Sequence, residues 1–266
     1  MDFVPDIDMA KKQVVYRFFS EYSPAYVVTN ESLTTSMYWM PKNCNSALTV
    51  AASGDHPFWC SLFGIKHVDT FDISYNAKCI MDIKTAALGC LDYFQYIKLL
   101  ENLNKCRDVT NVPYMKNILK KLSPIEADYL CAMKGFRLFD HEQWQNENLW
   151  LINQYEYSSL QESVQKPYNF IMSDISSLSV MLTQSYDFIH LSNIMDYVLN
   201  PGHQSAILLG LLQHLNVKGR IVINHLRRAA WTKAPFSKGY MAYNHILKNI
   251  RFIKTGADIS IFERIR

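Results

Sequence analysis

Two short polar segments near the start of the chain have the residue types of a nucleoside-binding site. The apolar run Ala47–Ala52 leads into Ser53-Gly54-Asp55-His56, and Asp72-Ile73 follows 18 residues after the glycine. A glycine permits close backbone approach to a ligand, and an acid ending a second strand can accept hydrogen bonds from both ribose hydroxyls. The alternatives are an ordinary strand-to-helix turn and a helix N-cap at Asp72. We predict ligand contacts from Ser53, Gly54, Asp55, His56, Asp72 and Ile73.

Polar residues also follow two later apolar runs. Asp174-Ile175 comes after residues 168–172, and Ser192-Asn193 comes after residues 186–191. We predict Asp174 and Ile175 beside an adenine, since a carboxylate accepts a hydrogen bond from an exocyclic amine. We predict Ser192 and Asn193 at the reacting end of the ligand, with Asp196 and Tyr197 as catalytic candidates. Capping and turn roles are the alternatives for Asp174, Asn193 and Asp196.

The ligand predicted from these residues is an adenosine without a nucleotide phosphate. The chain has no G-x-x-x-x-G-K-[ST] loop, and its single-glycine turn is poorly suited to a pyrophosphate. S-adenosylmethionine fits this profile. The eight histidines fall in no metal-binding spacing, and no G-x-S-x-G motif points to hydrolysis. We therefore expect S-adenosylmethionine as group donor and no metal.

Alternating strands and helices must position these residues. Apolar runs near 46–52, 67–72, 168–172, 186–191 and 220–224 predict buried parallel strands. Two strands near 251–254 and 258–264 predict an antiparallel edge hairpin. The predicted fold class is α/β, a mostly parallel Rossmann-like sheet of the class I methyltransferase type. We divide the chain into an N-terminal helical or mixed segment, 1–45, and a ligand-binding domain, 46–266, with a helical insertion at 91–165.

The composition of the chain limits the kinds of partner that we expect it to bind. The 266 residues carry a formal net charge of +3, too mild to require a nucleic acid, and we expect none. The longest apolar run, near 206–212, is far shorter than the roughly 20 residues of a membrane span, so no transmembrane segment is expected. The acidic N-terminus is broken by Pro5, and six cysteines occur without a C-x-x-C pair. We expect a cytoplasmic protein with reduced thiols.

Several motifs resemble the aminocarboxypropyl transferases that begin betaine-lipid synthesis. That family has a strand ending Ser-Ala-Gly-Asp-Asn, an Ala-Val-Asp-Leu-Asn-Pro motif and Leu-Lys-x-Ala-Ala. Their counterparts here are Ala52–His56, Phe71–Ser74 and Ile83–Ala87, and Leu191–Tyr197 resembles the family's Leu-x-Asp-His-Met-Asp-Trp. The likeness covers roughly residues 46–90 and 168–228. Asn193 departs from the family's Asp, and the N-terminal region matches poorly. The chain is also similar to the aminopropyl-modifying enzyme of microcin C maturation, an antibiotic pathway.

The first resemblance implies transfer of the 3-amino-3-carboxypropyl group of S-adenosylmethionine, with release of methylthioadenosine. The second implies a peptidyl adenylate whose phosphate is the acceptor. An anionic phosphate needs no strong base, and we predict that Arg227 and Arg228 hold it. A hydroxyl acceptor needs a general base, for which Asp196 is the candidate, then Tyr197. The alternatives are a methyltransferase and a non-catalytic Rossmann-like subunit that binds a partner enzyme.

Overall fold

A computed structural model of the chain describes residues 3–11, 20–29, 31–105, 108–133, 152–164, 168–198, 200–225, 249–255 and 259–266. Within these ranges one sheet has seven strands, ordered β3-β2-β1-β4-β5-β7-β6. The strands are β1 (Ser46–Val50), β2 (His67–Asp72), β3 (Asn169–Met172), β4 (Tyr186–His190), β5 (Leu215–Asn224), β6 (Ile250–Thr255) and β7 (Ile259–Arg264).

The strand directions confirm the predicted fold class. Strand β1 pairs in parallel with β2 and β4, and β4 pairs in parallel with β5. Strand β7 is antiparallel to both β5 and β6, which makes the edge hairpin. The order β3-β2-β1-β4-β5 matches the start of a Rossmann sheet. The chain therefore has the mostly parallel, class I methyltransferase-like α/β fold.

Helices connect the strands and cover the sheet residues. They are α1 (Ile7–Lys11), α2 (Leu33–Met37), α3 (Asp55–Leu62), α4 (Tyr75–Leu88), α5 (Tyr93–Lys105), α6 (Met115–Leu119), α7 (Pro124–Ala132), α8 (Gln154–Ser163), α9 (Leu178–Met181) and α10 (Pro201–Gln213). Local chemistry sets several of the starts. Proline opens α7 and α10 after the caps Ser123 and Asn200, and Asn153 with Glu156 forms a capping box at α8.

Two elements differ near turns from what their local sequence favours. Proline is typical of the first turn of a helix, yet helix α3 begins at Asp55, two residues before Pro57, so Asp55 and His56 lie in its first turn. The sequence Val217-Lys218-Gly219 is typical of a turn, yet it lies inside β5. The pairing shifts there, from Tyr186 opposite Leu215 to Phe188 opposite Arg220, and Lys218 has φ +68°. The extra residues form an irregularity in the strand instead of ending it.

Packing divides the chain into two compact units. The first comprises Met1–Glu31, Ala51–Leu62 and Asp72–Met172. The second comprises Ser32–Val50, Phe63–Phe71 and Ser173–Arg266. Each unit is assembled from three separate stretches of chain. The division at residue 46 that the sequence suggests stays a prediction.

Helix α4 packs against other helices of the first unit. The hydroxyl of Tyr157 in α8 donates to the carbonyl oxygens of Ala87 and Leu91, both at 3.2 Å. The hydroxyl of Tyr129 in α7 donates to Asn76 Oδ1 at 3.0 Å. Both tyrosine rings are buried. These tyrosines therefore pack the described helices of the 91–165 segment onto α4.

None of the helices in the described ranges has the length and apolar character needed to cross a bilayer.

Candidate functional site

The loop after β1 is a tight turn with two left-handed backbone positions. Ala52 has φ +46° and Gly54 has φ +82°, and the Gly54 N–H donates to the Ala51 carbonyl at 2.7 Å. A Cβ at Gly54 would lie 2.8 Å from the Cα of Met81 in α4. Such a contact cannot be relieved by moving a side chain. The glycine is therefore required for the approach of α4 as well as for the turn.

Asp55 lies at the centre of a buried hydrogen-bond cluster. Its Oδ2 accepts from the Thr29 backbone N–H at 2.7 Å and from the Ser53 hydroxyl at 2.8 Å. Its Oδ1 accepts from Lys84 Nζ at 2.5 Å. The Lys84 side chain is 0% exposed, and burial lowers the pKa of its ammonium while Asp55 opposes that shift. Asp55 and Ser53 thus fix the loop to α4 and to the N-terminal segment, and their contacts with a ligand stay predictions.

Asp72, the last residue of β2, is held by backbone donors. Its Oδ2 accepts from the Ala52 N–H and its Oδ1 from the Ser74 N–H, both at 3.0 Å. Ser74, not Asp72, is the N-cap of α4. Burial raises the pKa of the Asp72 carboxyl, against the N–H groups of Ser74, Ala52 and Ile73. The carboxylate is therefore fixed beside the loop that contains Gly54, and it is partly exposed.

His56 is buried in the first turn of α3. Its Nε2 lies 3.4 Å from Glu31 Oε2, and both side chains are 2% exposed. A positive charge on His56 would lower the pKa of Asp72, against the effect of burial. Residues His56 and Asp72 therefore belong to one polar cluster in the first unit, together with Glu31.

Asp174 and Ile175 lie in the second unit after β3. Asp174 Oδ1 accepts from the backbone N–H of Ser176 at 2.8 Å and from the Ser176 hydroxyl. Helix α9 begins only at Leu178, with Ser177 as its N-cap residue. Asp174 is exposed and organises the turn before the helix, and Ile175 is buried. Asp174 therefore organises a turn and does not cap the helix, and the adenine contact stays a prediction.

Ser192 and Asn193 form a constrained loop after β4. Ser192 has φ +52°, and its carbonyl accepts the Asn224 N–H at 2.8 Å. The Ser192 hydroxyl donates to Asn193 Oδ1 at 3.3 Å. Asn193 precedes the 3₁₀ helix Ile194–Tyr197 without capping it through its side chain. The end of β5 therefore holds this loop, as the parallel pairing of β4 and β5 allows.

Asp196 in the same 3₁₀ helix contacts His225 directly after β5. The Asp196 Oδ1 lies 2.9 Å from His225 Nδ1, and His225 Nε2 lies 2.9 Å from the Ser260 hydroxyl in β7. Tyr197 is partly exposed on the same turn. No sequence pattern indicates these hydrogen bonds, because the three residues come from elements that are far apart in the chain.

His190 belongs to a separate buried polar group in the second unit. The Ser36 hydroxyl donates to Asn224 Oδ1 at 2.9 Å, and Asn224 Nδ2 lies 3.5 Å from His190 Nε2. The His190 ring stacks with Phe188 at a centroid distance of 6.1 Å. His190 is therefore a buried core residue.

The predicted acceptor residues Arg227 and Arg228 lie outside the described residues. Arg220, from the same basic stretch, donates from Nε to Glu263 Oε2 at 3.1 Å and from its guanidinium to the Trp39 carbonyl at 2.9 Å. Its contacts join β5 to β7 and to the segment before β1. Among the described residues, no group of three His, Cys, Asp or Glu side chains has an arrangement that could hold a metal ion.

Three contacts to the first loop were missed by sequence reasoning: those from Thr29, Glu31 and Lys84. Thr29 and Glu31 precede the loop by more than 20 residues, and no periodicity links them to it. Lys84 was part of the Ile83–Ala87 motif that carried the family resemblance, although no role was assigned to it. Its ion pair with Asp55 gives that motif a physical function.

Solved structures similar to the chain include methyltransferases. The N-methyltransferase NodS from Bradyrhizobium japonicum WM9 is 10% identical over 88% of this chain and 92% of that chain, with a TM-score of 0.40. A putative rRNA methylase from Clostridium thermocellum is 10% identical over 90% and 98%, with a TM-score of 0.44. No family model and no curated protein matches the chain. The fold assignment above rests on the strand order and pairing of the chain itself.

Proposed function

We propose that the chain binds S-adenosylmethionine and transfers one substituent of its sulfonium to an acceptor. The observation that supports this most directly is the placement of Asp72. Its carboxylate ends β2 and is fixed by the N–H of Ala52 at 3.0 Å, within the loop that contains Gly54. The N–H groups of Ala52, Ser74 and Ile73 occupy part of its acceptor capacity, and a carboxylate offers about four lone-pair sites. The remaining capacity suits the two ribose hydroxyls of an adenosine.

Titration calorimetry with S-adenosylmethionine tests the ribose role of Asp72. The Asp72→Ala substitution should weaken binding by about 100-fold or more, since hydrogen bonds to a charged group contribute roughly 1.5–3 kcal/mol each. Asp69→Asn is the control, because Asp69 lies on the same strand but bonds to Gln184 and Tyr186. Unchanged affinity in Asp72→Ala would remove the ribose role.

The finer proposal concerns the group that is transferred. The resemblance of Ala52–His56, Phe71–Ser74 and Leu191–Tyr197 to aminocarboxypropyl transferases favours the 3-amino-3-carboxypropyl group. Methyl transfer is the alternative, with the same donor and a different carbon facing the acceptor. In both reactions the acceptor bonds to carbon while the carbon–sulfur electron pair moves to sulfur. The protein then accelerates the transfer mainly by holding the acceptor and the sulfonium donor in the reactive orientation.

Mass spectrometry of the protein incubated with S-adenosylmethionine distinguishes these reactions. Methylthioadenosine with an aminocarboxypropyl mass gain on the acceptor would support the first. S-adenosylhomocysteine would identify a methyltransferase. Tight binding without either product, together with a stable complex with a partner, would favour a non-catalytic subunit.

A peptidyl adenylate is the first acceptor to include, as the microcin C resemblance suggests. Arg227 and Arg228 are proposed to hold its phosphate, because guanidinium groups form paired hydrogen bonds with phosphate oxygens. Arg227→Ala should raise the KM for that acceptor and leave the affinity for S-adenosylmethionine unchanged. An unaltered acceptor KM would remove this role.

A further inference from the structure

The serine, histidine and aspartate that meet after β4 and β5 form an ordered hydrogen-bonded chain. An ionised Asp196 carboxylate only accepts hydrogen bonds, so the proton on His225 must lie on Nδ1, 2.9 Å from Asp196 Oδ1. In a neutral imidazole Nε2 then becomes the acceptor, and the Ser260 hydroxyl, 2.9 Å away, donates to it. Asp196 therefore selects the tautomer with the proton on Nδ1, and the Ser260 hydroxyl, which can donate to Nε2 in that tautomer, holds the other side of the ring.

The three hydrogen-bonded side chains differ in how deeply they are buried. Ser260 is 3% exposed, whereas the side chains of His225 and Asp196 are 10% and 11% exposed. The serine is thus the most enclosed of the three, which is opposite to what a serine nucleophile would need. Asp196 and His225 are the members accessible to a reactant, and Ser260 is an internal anchor.

Backbone hydrogen bonds hold the segments that carry Ser260 and Asp196, the two outer members of this hydrogen-bonded group. Ser260 pairs with Ile223 in the antiparallel β5–β7 ladder, two residues before His225. The N–H of Asn224, next to His225, donates to the Ser192 carbonyl at 2.8 Å, four residues before Asp196. Ser260 thus lies in a paired strand, His225 directly follows one, and the loop before Asp196 is hydrogen-bonded to the end of β5. Such support is what a precisely oriented functional group requires.

We propose that His225, anchored by Ser260, is a positioning residue that orients Asp196 as the base for a protonated acceptor. The inference rests on the proposed function. Asp196 takes the acceptor's hydroxyl proton while the acceptor oxygen bonds to the carbon on sulfur and the carbon–sulfur electron pair moves to sulfur. The proton then leaves Asp196 to solvent, so one proton is released for each transfer. His225 keeps its Nδ1 proton throughout.

Steady-state transfer from S-adenosylmethionine to 1,2-dioctanoylglycerol, which has one free hydroxyl, tests this proposal in the full-length protein. His225→Ala should lower kcat about 100-fold, since misplacing a catalytic group costs on this order, with the KM for S-adenosylmethionine within about two-fold. His225→Asn retains an amide donor near the Nδ1 position and should restore part of kcat. Ser260→Ala should give a smaller fall. His203→Asn, at an exposed position of α10, is the control and should leave kcat unchanged.

The outcomes separate this inference from the proposed function. Transfer in which His225→Ala leaves kcat unchanged contradicts the inference while the proposed function stands. Equal losses in His225→Ala and His225→Asn that track a fall in melting temperature mark a purely structural role and also overturn it. Transfer to the phosphate of a peptidyl adenylate but not to the hydroxyl contradicts it as well, since an anionic acceptor needs no base. If the unaltered protein transfers to neither acceptor while binding S-adenosylmethionine, the transferase proposal fails and this inference fails with it.

Discussion

Ala52 and Ser192 have the same unusual backbone conformation at equivalent places. Each lies two residues after a parallel strand, β1 or β4, with φ +46° and +52° respectively. A non-glycine residue in this region costs roughly 1–2 kcal/mol, and such positions concentrate where a fold holds a functional group. At Ala52 the conformation directs the N–H to Asp72. The strained backbone of Ala52 therefore helps to orient the Asp72 carboxylate, which we propose binds ribose.

Replacing Ala52 with glycine should relieve this strain. We expect Ala52→Gly to raise the free energy of unfolding by up to about 1 kcal/mol, since the relief exceeds the entropy cost of the glycine. Ala51→Gly is the matched control, because Ala51 is buried and lacks the positive φ. It should lower the free energy by about 1 kcal/mol. Urea denaturation measures both, and a loss in Ala52→Gly equal to that of the control would contradict the strain.

Residue types and spacing located Gly54 and Asp72 correctly at the ends of adjacent strands. They did not predict that Gly54 faces Met81 or that Asp55 contacts Lys84, because these contacts depend on how α3 and α4 approach each other. Similarly, Asp196 was selected from its place after a strand. Its contact with His225 required the pairing of β4 with β5 and of β5 with β7.

At the scale of elements, the pair of Lys84 and Asp55 joins α4 to α3. Removing one member of a buried ion pair leaves an uncompensated charge, which costs about 3–5 kcal/mol. We expect Lys84→Met to lower the free energy of unfolding by this amount. Lys84→Met combined with Asp55→Asn should recover part of the loss, since no buried charge remains. Urea denaturation of the two single variants and the double variant gives the coupling energy, and purely additive losses would contradict the pair.

A second charged cluster joins α4 to α7. Lys78 contacts Asp82 and lies 3.3 Å from Glu126 Oε2. Burial, and secondarily Asp82, raises the pKa of Glu126 from 4.5 to about 8. Between pH 4.5 and about 8 the folded protein therefore keeps a proton on Glu126 that the unfolded chain has lost. The stability from this proton is fully present below pH 4.5 and is lost as the pH rises to about 8.

Glu126→Gln should flatten this pH dependence. The amide cannot ionise, so the contribution of residue 126 no longer declines between pH 4.5 and about 8. Urea denaturation across this range compares the variant with the unaltered protein. Glu162→Gln, at an exposed position of α8, is the control and should keep the original slope. The same slope in all three proteins would exclude Glu126 as the titrating group.

Apolar runs predicted the elements better than they predicted turns. Strands β1 and β4 are continuous buried runs, as expected where both faces of a parallel sheet are covered. The Val217-Lys218-Gly219 sequence has ordinary turn chemistry, yet β5 continues through it because the flanking residues Leu215 and Arg220 both pair with β4. Sheet pairing thus overrides the local signal at this position.

At the scale of the whole molecule, each unit is built from separated stretches of the chain. Thr29 from the N-terminal segment donates to Asp55, and the N–H of Tyr75 donates to the Glu21 carbonyl at 2.8 Å. Thr29 thus supports the loop after β1, and Glu21 supports the start of α4. Changes of composition along a chain do not report such contacts between distant residues, and the division at residue 46 stays a prediction.

Binding of S-adenosylmethionine should therefore be detectable as a gain in the stability of the chain. A ligand that binds only the folded state stabilises it by about 2.7 kcal/mol at 100 times its Kd. For a chain of this size that corresponds to a rise in melting temperature of roughly 5–10 °C. Calorimetric scans with S-adenosylmethionine should show this rise in the unaltered protein and in Asp69→Asn, but not in Asp72→Ala. ATP should give no rise, because the single-glycine loop is poorly suited to a polyphosphate. An equal rise in melting temperature with ATP would mean that the loop binds a nucleotide, which would contradict its assignment to S-adenosylmethionine.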